Sequence, residues 1–187
     1  MVKKDPFQEG KKLMIQGDRQ GGIKKFTEAI NAGVHTGISF LSRGVAHLHL
    51  KDYDSAIHDF SRSIEIDRNN PRAWYYRGTA NMARNGLEDA IYDFTRTIEL
   101  EPMHGLAYLG RGTCYEDLGR REEAGEDIRM ALICTQTSSQ KFVDSMGLVR
   151  TQADRAFHLT IGEARDPVLT EEEAAQLKMF IEQEWSE

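Results

Sequence analysis

The chain of 187 residues is 40% hydrophobic and 29% charged, the composition of a folded protein rather than a disordered one. Its net charge of −6 argues against a generic binder of phosphate backbones, and no apolar run reaches the ~18–20 residues of a membrane span; neither nucleic acid nor membrane is an expected partner. The amino end, MVKKDPFQEGKKL, lacks the apolar stretch of a secretion signal, so a cytoplasmic setting with Cys114 and Cys134 reduced is expected.

In chain order, the first recurring mark is Gly10, and Gly44, Gly78 and Gly112 follow at intervals of 34 residues. Twelve residues after each stands a small residue (Gly22, Ala56, Ala90, Ala124), and four further on a large apolar one (Phe26, Phe60, Phe94, Ile128). The pair AIHDFSRSIEID (56–67) and AIYDFTRTIELE (90–101) is the most visible trace of this period. Four units follow, at 3–36, 37–70, 71–104 and 105–138.

Each unit reads as two helices. In the first, GDRQGG (17–22) is assigned to the turn between helices; it lacks the GK[ST] ending of a phosphate loop. In the third, Asn70 caps and Pro71 opens a helix over 71–84, which Asn85-Gly86 breaks. The spacing predicts a second helix over about 87–100, with Leu87, Ala90, Ile91, Phe94 and Ile98 on one face, and Glu101-Pro102 stops it. The small residues let paired helices approach, while Phe94 fills the space between one pair and the next. One pair alone cannot bury both apolar faces, so such units must stack.

Trp74, Gly78, Ala90, Phe94 and Pro102 of the third unit carry a resemblance to the tetratricopeptide repeat (TPR) family, whose period is also 34 residues. Arg77 departs from the family's Leu and Asn81 from its Tyr; the fourth unit keeps Tyr115, and the first lacks the Trp-type aromatic. The resemblance covers residues 3–138. It implies an all-α fold, a right-handed superhelical stack of antiparallel helix pairs, with the first helix of each pair lining a concave groove.

The Arg departure itself recurs. Arg43, Arg77 and Arg111 occupy one place in units two to four, and sixteen residues later stand Asp59, Asp93 and Asp127. The first unit holds Glu9 and Lys25 there, with the signs reversed. A ladder of partly exposed ion pairs between paired helices is expected, at ~0–1 kcal/mol each. A row of arginines reading an anionic ligand is the alternative.

Residues 139–187 leave the period. Residues 139–165 read as a capping helix, with Phe142, Val149, Ala153, Phe157 and Ile161 inward. Residues 166–187 read as a linker and an amphipathic helix, opened by a Thr170/Glu173 capping box and striped by Ala174, Leu177, Ile181 and Trp185. Charge is unevenly spread: residues 1–25 hold seven basic and three acidic residues, and 163–187 hold two and eight. The two ends can attract each other, within or between molecules.

No catalytic residue, metal ligand set or cofactor motif is read. His47 and His49 are two residues apart and point to different sides of a helix. Cys114 and Cys134 form no CxxC and read as buried, inert thiols. Function is therefore sought in the groove that the resemblance implies. Its first helix contributes Lys4, Phe7, Lys11 and Met14, and its second Ile38, Leu41, Ser42, Val45 and Leu48. The third contributes Arg72, Tyr75, Tyr76, Thr79 and Met82, and the fourth Leu109, Thr113, Glu116 and Asp117. Some family members clamp the carboxylate tails of heat-shock chaperones with Lys, Asn and Arg. The matching places here hold Phe7, Lys11, Ser42, Arg72 and Tyr76, so only two cations remain and that clamp is not expected. The resulting expectation is a non-enzymatic protein–protein interaction module, an adaptor holding a partner's peptide or helix in an apolar groove. The alternative is a self-assembling scaffold whose C-terminal helix docks in the groove, in cis or as a homo-oligomer.

Overall fold

The computed structural model describes residues 5–137, with side chains as far as Cys134. Lys4, the expected capping helix and the expected C-terminal helix lie outside the described residues. Within them the protein is all α-helix in two compact units, the first running to Gly86 and the second beginning at Leu87. The first holds α1 (Pro6–Ile15), α2 (Arg19–Asn31), α3 (Thr36–His49), α4 (Tyr53–Ile66) and α5 (Pro71–Ala83). Each packs on the next, and α3 also touches α1 and α5. The second holds α6 (Leu87–Leu100), α7 (Gly105–Asp117) and α8 (Arg121–Thr137), with α7 packed on both others. No described helix is long and apolar enough to cross a membrane.

The repeat is written in how the first helices end. Gly17, Lys51, Asn85 and Gly119, spaced by 34, all adopt positive φ, between 61° and 81°. At each corner the next amide donates back to a carbonyl five residues earlier: Asp18 to Leu13, Asp52 to His47, Gly86 to Asn81 and Arg120 to Tyr115. This is the Schellman closure, which satisfies carbonyls that the helix end would leave bare. Asp18 and Asp52 then cap α2 and α4 through their side chains, and Asn70 caps α5 ahead of Pro71. The expected GDRQGG turn is shorter than its glycines suggest. It ends at Asp18, and Gly21 and Gly22 belong to α2. A Cβ at Gly22 would sit 2.9 Å from Met14 Sδ, so the thioether end of Met14 packs beside the α2 backbone there.

Large rings fill the spaces left by small residues. Phe26, Phe60 and Phe94 are no more than 1% exposed. A Cβ on Gly44 would lie 2.6 Å from Phe60 Cε1, so the ring occupies the space beside the α3 backbone. On its other side the same ring stacks on Tyr76 of α5, with centroids 5.7 Å apart and planes at 18°. Phe94 likewise reaches the following helix, where a Cβ on Gly110 would be 2.7 Å from its ring. On α6 the buried stripe is Leu87, Ala90, Asp93, Phe94 and Thr97. Ile91 and Ile98 are only half-buried, and Thr97, whose hydroxyl donates to the Asp93 carbonyl (3.0 Å), is buried instead.

Candidate functional site

The recurring arginines explain why part of the molecule is framework. Arg43 clamps Asp59 with two bonds of 2.7 Å from Nε and Nη2, and its Nη1 donates to Thr27 on α2 (2.9 Å). Arg111 repeats this with Asp127 (2.8 and 2.7 Å) and Thr95 on α6 (3.0 Å). Arg77, whose expected carboxylate Asp93 belongs to the second unit, donates to Ser61 on α4 (3.0 Å). Each arginine also lies over an aromatic ring three residues earlier: Phe40, Trp74 or Tyr108, at 4.9 to 5.7 Å. In Arg43 and Arg111 the guanidinium fork thus joins a carboxylate on its partner helix to a hydroxyl on the preceding one. The hydroxyls at 27, 61 and 95 were not singled out from the sequence, although they stand sixteen residues before each arginine.

The exposure expected of these pairs is not what is found. Asp59 and Asp127 side chains are only 2% and 6% exposed, so bidentate geometry, not solvent, keeps them satisfied. Burial pushes the Asp127 carboxyl up, but the two short bonds to Arg111 oppose it, and Arg111 is in turn raised by its hydrogen bonds to Asp127. The reversed pair of the first unit is looser: Lys25 is 3.0 Å from Glu9 and 2.8 Å from Glu28, with Lys25 and Glu9 about one-third exposed. Its ammonium pKa is raised, first by Glu28 and then by Glu9.

With the arginines committed to the helix seams, the groove residues remain. On α1, Lys11 is exposed, its ammonium 5.8 Å from the Phe7 ring centroid, and Met14 is half-buried. Phe7 itself is core, against Phe26 (5.8 Å) and His35 (5.2 Å). On α3, Ser42 and Val45 are half-buried, Ile38 is exposed, and Leu41 and Leu48 are buried. On α5, Arg72 is exposed and Tyr76 half-buried, whereas Tyr75, Thr79 and Met82 are buried. In the second unit Leu109 and Thr113 are buried, Asp117 is exposed, and Glu116 keeps only a 3.7 Å approach to Arg121. The accessible set in the first unit is therefore Lys11, Met14, Ile38, Ser42, Val45, Arg72 and Tyr76, two cations around a floor that is mostly apolar.

Other candidate chemistry resolves into structure. His47 Nδ1 lies 3.1 Å from Asp52 Oδ2, next to the cap of α4. Cys114 and Cys134 are buried thiols outside any disulfide, and burial raises the Cys134 thiol pKa. No cluster of metal-binding side chains occurs among the described residues.

Known proteins agree on the architecture. Two family models described as tetratricopeptide repeat match residues 38–70 and 75–139, together just over half of the chain. The small glutamine-rich tetratricopeptide repeat-containing protein 2 of Saccharomyces cerevisiae is 39% identical over 59 residues. That match spans 32% of this chain and only 17% of the yeast protein. Among solved structures, MamA superposes with a TM-score of 0.67 at 18% identity, covering 97% of this chain and 90% of MamA. The first TPR of Spaghetti (RPAP3), bound to the HSP90 peptide SRMEEVD, superposes with a TM-score of 0.60 at 26% identity, covering 61% of this chain and 90% of that domain. The 34-residue corners, the ring-into-glycine packing and the matched models lead to one conclusion: the chain belongs to the tetratricopeptide repeat family and is a protein-interaction module by fold.

Proposed function

We propose that the protein is a non-enzymatic adaptor that holds a peptide or amphipathic helix of a protein partner on the exposed face of α1, α3 and α5. The observation carrying this reading is the division of labour among the side chains. Arg43 and Arg111, which could have read an anion, are tied to buried carboxylates, while Lys11, Val45, Arg72 and Tyr76 keep accessible surface. An accessible patch of aromatic, aliphatic and Arg character is the composition of binding hot spots. The peptide-bound RPAP3 domain supports a peptide ligand for this face. Because only Lys11 and Arg72 retain charge at the places expected of a carboxylate clamp, the preferred ligand is amphipathic with an acidic edge. The setting is the cytoplasm, where Cys114 and Cys134 stay thiols.

The test is a display library of short random peptides selected against the full chain. Selected peptides are expected to carry apolar residues at helical spacing beside at least one acidic residue. Tyr76→Ala and Arg72→Glu should each weaken them at least tenfold, with SRMEEVD binding at least tenfold more weakly than the selected peptides. Affinities unchanged by both substitutions would remove the groove from the function.

A further inference from the structure

We infer that the ligand of this groove is the acidic C-terminal helix of a second copy of the same chain. The inference rests on the groove reading above and names its occupant. Lys11 on α1 and Arg72 on α5 are both exposed, and α3 between them touches both helices. Between them, Val45 and Tyr76 keep part of their surface, and Ile38 is 49% exposed.

Residues 170–185 match that pattern in mirror image. Their apolar stripe is Ala174, Leu177 and Ile181, ending at Trp185. Glu173 stands one helical turn before Leu177 and Glu184 three residues after Ile181, so both border the stripe. Two carboxylates thus flank the stripe, as the two cations Lys11 and Arg72 flank the apolar floor of the groove. Lys178 is the one base in residues 167–187, against six Glu, while residues 1–25 carry an excess of four bases. Any two copies therefore present complementary ends, a basic groove to an acidic helix, and the contact is head-to-tail rather than self-complementary. Such a contact leaves one groove and one helix unused at the ends of every open assembly, so it propagates until a ring closes.

Full-length chains carry the whole test. Wild-type protein should show a mass by analytical ultracentrifugation that rises from 21.3 kDa through successive multiples as concentration increases. Leu177→Asp with Ile181→Asp disables the helix, and Lys11→Glu with Arg72→Glu disables the groove. Each double variant alone should remain monomeric, with circular dichroism and melting temperature unchanged. Mixed together, they should form one complex of two chains and nothing larger, because each supplies the half that the other lacks. A wild-type chain that stays monomeric throughout, a helix docked within its own chain, or a mixture that does not associate would each overturn the inference. If peptides from the display library still bind through Tyr76 and Arg72 in that case, the groove stands and only its occupant is wrong.

Discussion

At the scale of single residues, burial decides what the recurring ion pairs contribute. An exposed pair adds ~0–1 kcal/mol, and Lys25–Glu9, about one-third exposed on both sides, belongs to that class. Arg43–Asp59 does not. Asp59 is 2% exposed, and removing Arg43 would leave a desolvated carboxylate with a hydroxyl deprived of its donor. Breaking fully buried pairs costs ~3–5 kcal/mol, and since Arg43 retains 17% exposure, Arg43→Ala is expected to cost about 2–3 kcal/mol. Arg43→Ala, Asp59→Ala and the double variant, compared by urea unfolding, should give a coupling of about 1–2 kcal/mol. The same cycle on Glu9 and Lys25 should give under about 0.5 kcal/mol. Equal couplings in the two cycles would mean that burial is not what distinguishes them. The sixteen-residue spacing made these pairs readable in the sequence. Their strength was not readable, because it depends on how deeply the carboxylate is buried, 2% exposed at Asp59 and 6% at Asp127.

At the scale of elements, the corner after each first helix is the most regular feature of the protein. Four residues in phase take the left-handed conformation, and two of them, Lys51 (φ 61°) and Asn85 (φ 67°), are not glycine. The break at Asn85-Gly86 could be read from residue type, since Asn tolerates that region. Lys51 gave no such signal. It is forced there because the Asp52 amide donates back to the His47 carbonyl while its carboxylate accepts from the Ser55 amide ahead, at the start of α4. A β-carbon in this conformation costs ~1–2 kcal/mol, part of which glycine returns through a floppier unfolded chain. Lys51→Gly is therefore expected to stabilise the protein by about 0.5–1 kcal/mol, seen as a higher urea midpoint at unchanged m-value. Gly119→Lys, at the equivalent corner (φ 74°), should lower stability by a similar amount. A rise in stability in both variants would contradict a conformational origin.

At the scale of the molecule, composition and period led to the fold because every unit repeats the same solution to the same packing problem. The groove was less legible. Phe7, Leu41, Leu48, Tyr75, Thr79 and Met82 have the periodicity of an exposed face yet are buried, so the accessible surface is carried by Lys11, Val45, Arg72, Tyr76 and a few neighbours. One helix face can serve either a neighbouring helix or a ligand, and spacing alone does not separate the two uses. Charge does better, because a solvated cation beside apolar side chains has a cost of desolvation that only an opposite charge offsets. The uneven distribution, four excess bases in residues 1–25 and six excess acids in 163–187, then has a measurable consequence. Contacts held by exposed Lys11 and Arg72 are screened when the Debye length falls from roughly 10 Å at 0.1 M salt to 3 Å at 1 M. Self-association through the groove should weaken at least tenfold between those salt concentrations, while the urea midpoint of the fold, held by buried pairs and rings, falls far less. Association that strengthens with salt would instead assign the contact to apolar surface alone, with Ile15 (85% exposed) and Ile66 (53% exposed) the first residues to replace.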